Sequence, residues 1–431
     1  MRQVLRRGPR ILLAFALLLA WVQHADARTA PRLREPDWSR VSGVEAPPAH
    51  SARSVILVDV DSRTVLYASN PDLVLPPASL TKLVAIDVAL VAAARGEFSL
   101  ETTFVPPEVS WAERQPAGSS LMFLGPGQEL SLDDLLTGLA VPSGNDAAVA
   151  LATILDGSVP AFAERMNARM QELGLVDLFF VEPSGLSPQN SVTARSFARF
   201  LLAHLAAFPE VTGRYYARQT YTYPQARHRV SPAARTPVTQ ANRNLLLWDF
   251  DGVDGLKTGY IGASGYHLAA TAERDGRRLL VLVLGLDADS HALGGTMRAA
   301  EAAAFLEYGF RSFERLRLGY PPPDPVRVFR GQASRVEPVG PAELVLAVPA
   351  GQRDRIVGFR EQAEAVVAPL PAMPIGRVGV RLDGVELASE RLYLPEQELG
   401  GIWRRIRDGV LLFFRELADR VAGRERPTRS P

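Results

Sequence analysis

The sequence has no cysteine and only two lysines, although lysine and arginine together supply 48 of its 431 residues. The absence of cysteine excludes disulfide bonds, thiolate zinc sites and a cysteine nucleophile. The six histidines are scattered and lack the H-E-x-x-H spacing of a zinc peptidase, so neither a metal nor a cofactor is expected. A net charge of +1 provides no overall basic field, which argues against nucleic acid as a partner.

The two lysines are Lys82 and Lys257, in a chain that otherwise uses arginine for positive charge. A guanidinium group stays protonated at any accessible pH, whereas an ammonium group can become neutral and then act as a base. Random survival of two lysines in an arginine-rich chain is the alternative. The residues around each lysine decide between these interpretations.

Residues 1–27 have the pattern of a secretory signal peptide. Arginines at positions 2, 6, 7 and 10 precede the apolar run ILLAFALLLAWV, and the small residues Ala25–Ala27 follow it. The apolar run is short for a membrane span. We expect cleavage after Ala27, with an uncleaved N-terminal anchor as the alternative.

Changes in pattern divide the rest of the chain into four segments. Residues 28–50 are rich in proline, arginine and alanine and predict a linker. Residues 51–319 have β-rich runs at both ends and helical runs between them, which predicts an α+β domain. The proline-rich stretch YPPPDP opens residues 320–396, whose alternating apolar and polar residues predict a small all-β domain. Residues 397–431 form a tail of different character.

Several runs have the periodicity or the cap residues of a single element. SVILVDVDSRTVLYA predicts a hairpin, and Asp275-Gly276 and Asp383-Gly384 are favoured hairpin turns. Ser131 and Asp134 have capping spacing at the start of one helix. Further helices are predicted from Ser79 to a stop at Gly96, in AFAERMNARMQELGL, and from His291 to Leu316 as a closing helix.

The tail predicts an amphipathic helix whose charges interrupt it too often for a membrane span. Its apolar arc consists of Ile402, Trp403, Ile406, Val410, Phe413, Phe414, Leu417 and Val421. The charged residues that fall away from this arc are Arg404, Arg405, Asp408, Arg415, Glu416 and Asp419. We expect a helix that lies in a membrane interface, with its aromatic residues at the acyl boundary and its arginines near anionic headgroups. Docking on its own β domain or on another protein is the alternative.

Three short motifs carry the candidate chemistry. They are Ser79-Leu80-Thr81-Lys82, Ser143-Gly144-Asn145 and Lys257-Thr258-Gly259. Each motif alone is a weak signal, but their order, their wide separation and their use of both lysines make coincidence improbable. S-x-x-K with an S-D-N element and K-T-G is the signature of serine β-lactamases and penicillin-binding proteins, and S-G-N stands here in the place of S-D-N.

The chain resembles the low-molecular-mass penicillin-binding proteins that are serine-type D-alanyl-D-alanine carboxypeptidases. The likeness includes PPASLTKL, GSSLMFLGPGQELSLDDLLTGLAVPSGNDAAVALA, NRNLLLW and VDGLKTGY, together with the small β domain and the amphipathic tail. The resemblance implies a β-lactamase/transpeptidase-like domain, in which a helix cluster packs on a five-stranded antiparallel sheet.

Elementary chemistry agrees with the implied roles of Ser79 and Lys82. Residues three apart on a helix share a face, so Lys82 reaches the Ser79 hydroxyl. Lys82 must be neutral to take a proton, and we expect burial and the like charge of Lys257 to lower its pKa from about 10.4. Ser79 at a helix N-terminus has free backbone N–H groups nearby, which suit a developing oxyanion.

The resemblance also implies roles for the other motif residues. Ser143 would relay a proton to the leaving amine, and Asn145 would hold the substrate amide and orient Lys82. The substrate-binding set, which meets the terminal carboxylate and adds a backbone N–H to the oxyanion hole, is Lys257, Thr258, Gly259, Tyr260 and Arg243. An arginine grips a carboxylate in a bidentate fork, although a surface salt bridge is the alternative for Arg243.

The sequence departs from the family pattern near two of these motifs. Many relatives have histidine where this chain has Ser184, and histidine after K-T-G where it has Tyr260. The first departure concerns hydrolysis of the acyl-enzyme, so slow turnover is a possible outcome. Glu182 in EPSGL occupies an interval where class A β-lactamases place a deacylating glutamate, but Ser187 replaces the expected asparagine and argues against a β-lactamase.

These patterns together indicate a periplasmic carboxypeptidase that is peripherally attached to the inner membrane. Its expected partners are peptidoglycan pentapeptide stems, β-lactam antibiotics and the membrane surface. One alternative is a D-Ala-meso-diaminopimelate endopeptidase that cuts cross-links. Another is a cell-wall scaffold that binds peptidoglycan stems but hydrolyses them very slowly.

Overall fold

The structure is a computed structural model that describes residues 29–319 and 323–421. The predicted signal peptide lies outside these residues. The chain divides into two compact units: one contains residues up to Glu35 and Glu45–Phe313, and the other contains Pro36–Val44 and residues from Glu314 onward. Part of the predicted linker therefore groups with the second unit, and the domain limits drawn from the sequence stay predictions.

The first unit has strands at both ends of its chain and helices between them. In chain order its strands are β1 (Ser54–Asp59), β2 (Thr64–Ser69), β3 (Thr103–Phe104), β4 (Leu130–Ser131), β5 (Thr220–Tyr223), β6 (Val238–Ala241), β7 (Val253–Ile261), β8 (Gly265–Arg274) and β9 (Arg277–Leu286). Its helices are α1 (Thr81–Ala94), α2 (Leu132–Ala140), α3 (Asn145–Asp156), α4 (Val159–Glu172), α5 (Ala194–Ala207), α6 (Leu246–Asp249) and α7 (His291–Ser312).

A five-stranded antiparallel sheet with the order β2-β1-β9-β8-β7 forms the centre of this unit. Leu57 and Leu279 pack against α7 on one face of the sheet. Ile56 and Leu280, their sequence neighbours, point to the opposite face and join the main apolar core. Both faces are covered, which explains the continuous apolar run of β9. β7 lies at the edge of the sheet, where one side of its backbone stays available.

The helix cluster follows from local signals in the sequence. All but a few residues of α1 are buried, because the other helices surround it. Ser131 and Asp134 form the predicted capping box at the start of α2. The Asp275-Gly276 turn joins β8 to β9 as predicted, with both residues at positive φ.

The predicted closing helix is too long by four residues, because α7 ends at Ser312. The segment from Phe313 to Gly319 forms strand β10 instead, since its apolar and polar residues alternate and it pairs with a later strand.

Over its described residues, the second unit contains short sheets, as the alternation predicted, and one α-helix, as the amphipathic tail predicted. Its elements are β10 (Phe313–Gly319), β11 (Val326–Phe329), β12 (Arg335–Val336), β13 (Glu343–Pro349), β14 (Ile356–Gln362), β15 (Ala365–Val367), β16 (Met373–Leu382), β17 (Val385–Leu394) and α8 (Ile402–Val421). The sheet orders are β10-β13, β12-β11-β15 and β14-β16-β17. The predicted hairpin turn at Asp383-Gly384 joins β16 to β17.

Helix α8 contacts its own unit through polar residues. The buried Asp408 carboxylate accepts the backbone N–H of Arg330 at 2.8 Å, and Arg404 donates to the carbonyl of Gln332. The apolar residues of the predicted arc are exposed: Ile402, Trp403, Ile406, Val410, Phe413, Phe414 and Leu417. The side chains of Glu416, Asp419 and Val421 lie outside the described part. No single helix among the described residues is long and apolar enough to cross a membrane.

Candidate active site

Ser79 and Lys82 lie at the N-terminal end of α1. Ser79 belongs to a single 3-10 turn, Ala78–Leu80, that runs directly into the helix, and Lys82 is in the first helical turn. Lys82 is fully buried, and its Nζ lies 3.2 Å from Ser79 Oγ. The serine thus precedes the helix rather than starting it, but the lysine reaches its hydroxyl.

The Lys82 amine has three polar neighbours. Nζ donates to Asn145 Oδ1 at 2.7 Å and to the carbonyl oxygen of Ser184. These two oxygens accept but cannot donate, whereas the Ser79 hydroxyl can do either. When Lys82 is neutral, its two N–H bonds serve the two acceptors and its lone pair faces the Ser79 O–H. The geometry therefore suits removal of the Ser79 proton.

Burial is the main reason that Lys82 can be neutral near physiological pH. Loss of hydration lowers the pKa of Lys82 to about 7, and the charge of Arg243 acts in the same direction. The carboxylates of Glu182 and Asp146 oppose this change. Lys257 was expected to lower the pKa of Lys82, but it is not among the main causes of that change. The effect is seen on Lys257 itself: burial, followed by repulsion from Lys82, lowers the pKa of Lys257 well below its usual value.

The turn before α3 presents the second motif. Ser143 has a φ of 64°, a backbone conformation that is uncommon for a residue with a side chain. Its hydroxyl is buried and has no hydrogen-bond partner among the described residues. The neighbouring carboxylate of Asp146 accepts backbone N–H groups of residues 122–124 at 2.7 to 2.9 Å. Asp146 therefore fixes the loop beside the turn that carries Asn145.

The third motif lies on the edge strand β7. Lys257 is buried, and its Nζ donates to the carbonyl of Thr258 at 3.1 Å. A Cβ atom on Gly259 would lie 3.0 Å from the Pro77 carbonyl oxygen and 3.3 Å from the backbone nitrogen of Ser79. The absence of a side chain at Gly259 lets β7 approach the turn that carries the serine.

Arg243 and Tyr260 lie at the exposed rim of this region. The Arg243 guanidinium donates to Ser120 Oγ at 2.8 Å. The Tyr260 ring packs on Tyr266, with ring centroids 4.3 Å apart. Direct hydrogen bonds join Lys82 to Ser79 and Asn145. In the described part of the chain, no hydrogen bond joins the side chain of Lys257, Arg243 or Tyr260 to Ser79.

Arg298 is a charged residue of the site that the sequence interpretation missed. It lies on the buried side of α7 and donates Nη1 to the Gly259 carbonyl at 3.1 Å. Burial lowers the pKa of Arg298 to about 10, with repulsion from Arg243 as a further cause. An arginine directly before the alanine-rich run of the predicted closing helix was the available signal, but the sequence did not show which helical face was buried.

Comparison with known proteins identifies the family. Residues 41–288 match the peptidase S11 family, described as D-alanyl-D-alanine carboxypeptidase. The chain belongs to this family. It is 32% identical over 380 residues to D-alanyl-D-alanine carboxypeptidase DacA of Haemophilus influenzae, covering 86% of this chain and 91% of that protein. It is therefore a serine-type carboxypeptidase, as the resemblance implied.

Solved structures of penicillin-binding proteins share the fold. Penicillin binding protein 5 from Haemophilus influenzae gives a TM-score of 0.72 at 31% identity, covering 82% of this chain and 99% of that one. Penicillin-binding protein D2 from Listeria monocytogenes, in its ampicillin-bound form, gives a TM-score of 0.52 at 27% identity. This match covers 62% of this chain and 100% of that one. The predicted transpeptidase-like fold is confirmed.

Proposed function

We propose that this S11 carboxypeptidase removes the terminal D-alanine from peptidoglycan pentapeptide stems, with Ser79 as nucleophile and Lys82 as general base. One observation carries the assignment: the buried Lys82 amine has two partners that only accept hydrogen bonds, and its third is the Ser79 hydroxyl. An arginine could donate to the same oxygens, but its guanidinium would stay protonated and could not take the Ser79 proton.

Acylation begins when Ser79 Oγ attacks the carbonyl carbon of the penultimate D-alanine while Lys82 takes the hydroxyl proton. Backbone N–H groups of Ser79 and Tyr260 stabilise the oxyanion that forms on the carbonyl oxygen. The Ser143 hydroxyl relays a proton to the nitrogen of the leaving D-alanine; it is buried and has no hydrogen-bond partner in the described part of the chain, so it is available for this role. Water then hydrolyses the acyl-enzyme and releases the shortened stem.

The terminal carboxylate of the stem binds beside the edge strand. Lys257 and Thr258 lie on β7, and Arg243 is at the rim. Arg298 adds positive charge from helix α7. Its guanidinium contacts the Gly259 carbonyl and the Tyr266 ring, and in the described part of the chain it contacts no carboxylate that would neutralise this charge. A substrate carboxylate supplies the anion that this cluster lacks.

A β-lactam acylates the same serine, because its strained amide and its carboxylate resemble the end of the stem. The Ser184 hydroxyl does not take the place of the family histidine, since it donates to the Glu182 carboxylate at 2.5 Å. We therefore expect slow hydrolysis of the acyl-enzyme. A stem-binding scaffold with little turnover is the extreme form of this outcome.

The endopeptidase alternative concerns the same chemistry on a cross-linked peptide. The similarity to the DacA carboxypeptidase extends through the second unit, which favours the carboxypeptidase. Product determination on defined muropeptides separates the two activities.

Location at the inner membrane is the remaining part of the proposal. The first 27 residues are a signal for export to the periplasm, and α8 then binds the membrane surface peripherally. Trp403 is 81% exposed and Phe413 63% exposed, whereas Asp408 on the other side of the helix is buried. Because the polar side of α8 contacts its own unit, its apolar side is free to insert at the boundary between the lipid headgroups and the acyl chains.

Release of D-alanine from diacetyl-Lys-D-Ala-D-Ala is the direct test of the activity. The expected result is catalytic release by the wild type and none by Ser79→Ala. Penicillin labelling without release of D-alanine would instead favour the scaffold.

A further inference from the structure

Glu182 is the centre of the loop that ends at Asn190. Its two carboxylate oxygens accept five hydrogen bonds within this loop. The donors are the backbone N–H groups of Ser184 (2.6 Å), Gly185 (2.7 Å) and Ser187 (3.2 Å), the Ser184 hydroxyl (2.5 Å) and Asn190 Nδ2 (3.1 Å). A glutamate with this many local partners determines the conformation of the loop.

The loop lies directly against the nucleophile. Gly185 has a φ of 83°, and a Cβ atom there would lie 1.9 Å from the Ala78 carbonyl oxygen and 2.9 Å from the Ser79 backbone nitrogen. There is consequently no space for the loop to move toward the serine. The preceding residue, Ser184, directs its carbonyl oxygen at Lys82 Nζ.

We propose that Glu182 is a positioning residue for Lys82: its carboxylate fixes loop 182–190 so that the Ser184 carbonyl accepts one Lys82 N–H and the lone pair faces Ser79 Oγ. This role rests on the proposed function of Ser79 and Lys82. Without the Ser184 carbonyl, Asn145 alone would orient the amine, and the lone pair would be free to turn away from the serine.

A deacylating base of the β-lactamase type is the competing role for Glu182. A carboxylate has about four lone-pair sites, and here five donors from its own loop share them. None is left to accept a proton from an attacking water. The hydrogen bonds therefore favour a role in positioning over a role in deacylation.

The charge of Glu182 gives this role a signature that loop packing alone would lack. The Glu182 carboxylate raises the pKa of Lys82 against the larger effect of burial, as Asp146 does from α3. Arg243 acts in the opposite direction, and the Lys257 side chain is buried in the same site. Removal of the Glu182 charge should therefore lower the pKa of Lys82 further.

Three variants separate reach from charge. Glu182→Gln keeps the length of the side chain and removes its charge, whereas Glu182→Asp keeps the charge and shortens the reach. Ser187→Ala is the matched control. It removes a hydroxyl that accepts the backbone N–H of Gln189, and it keeps the backbone N–H that Ser187 donates to the Glu182 carboxylate. The measurement is the acylation rate with a fluorescent penicillin between about pH 5 and about pH 9, on both sides of the Lys82 pKa.

We expect acylation by both Glu182 variants to be slower by about tenfold or more, since small displacements of a base are costly. The rise of the rate with pH should occur at lower pH in Glu182→Gln and at the wild-type pH in Glu182→Asp. Ser187→Ala should behave like the wild type. Circular dichroism checks folding, and if Glu182→Gln does not fold, the rate of Glu182→Asp relative to Ser187→Ala decides.

Two results would overturn the role of Glu182. Wild-type acylation of Glu182→Gln with arrested loss of the label would make Glu182 a deacylating base. Slower acylation with an unchanged pH profile in Glu182→Gln would reduce it to a structural residue. A wild type that takes up no penicillin would contradict the function of Ser79 and Lys82 itself, so the two failures are distinguishable.

Discussion

Lys82 Nζ lies 2.7 Å from Asn145 Oδ1, and this contact joins the first turn of α1 to the first residue of α3. It brings two motifs that are 63 positions apart into one site. The amide oxygen takes one N–H of the lysine without adding charge. The polarity and the neutrality of Asn145 therefore both matter for the basicity of Lys82.

Replacement of Asn145 by Asp tests the importance of that neutrality. A carboxylate this close to an ammonium favours the charged form, so the pKa of Lys82 should rise by about one to three units. The rise of the acylation rate with pH should move upward by the same amount. Asn70→Asp, at an exposed position, is the control. An unchanged pH profile in Asn145→Asp would show that Lys82 does not set the rate.

The wild-type pH dependence follows from the same lysine. The pKa of Lys82 is lowered to about 7, and only the neutral amine can take the Ser79 proton. Acylation should therefore rise about tenfold per pH unit below this value and level off above it. Stopped-flow labelling in a series of buffers measures the profile. A rate that keeps rising to about pH 10 would indicate a lysine with an ordinary pKa.

The sequence predicted those parts of the fold and site that depend on local pattern. The S-x-x-K pair, the capping box at Ser131 and the two hairpin turns each involve residues that are close in the chain. The contributions of Ser184 and Arg298 could not be predicted in this way. One acts through a backbone carbonyl, which any residue possesses, and the other through the burial of one helical face, which only the packed sheet determines.

Arg298→Leu should weaken recognition of the stem carboxylate. The guanidinium donates to the Gly259 carbonyl and adds a positive charge beside β7. If the stem carboxylate loses a charged partner, the cost is about 1.5 to 3 kcal/mol, or about tenfold to about a hundredfold in kcat/KM. A tripeptide with a C-terminal amide is the matched control substrate, because it has no carboxylate to lose. Equal loss on both substrates would mean that Arg298 supports the fold of β7 and not the carboxylate.

Membrane binding should depend on the apolar side of α8. Trp403→Glu combined with Phe413→Glu should abolish flotation with anionic vesicles and leave activity on a small peptide unchanged. Arg405→Glu, on the charged side, is the comparison and should reduce binding only in part. Vesicle binding by the double variant at the wild-type level would exclude α8 as the attachment site.

The comparison of Lys82→Arg with Lys257→Arg tests the central claim most directly. Both changes introduce a guanidinium that stays protonated, but only Lys82 has to be neutral in order to take the Ser79 proton. The rate of labelling by a fluorescent penicillin should fall by about a thousandfold or more in Lys82→Arg, while Lys257→Arg should keep partial activity. Circular dichroism shows whether each variant is folded. Near wild-type labelling of a folded Lys82→Arg protein would contradict the assignment of Lys82 as the base that activates Ser79.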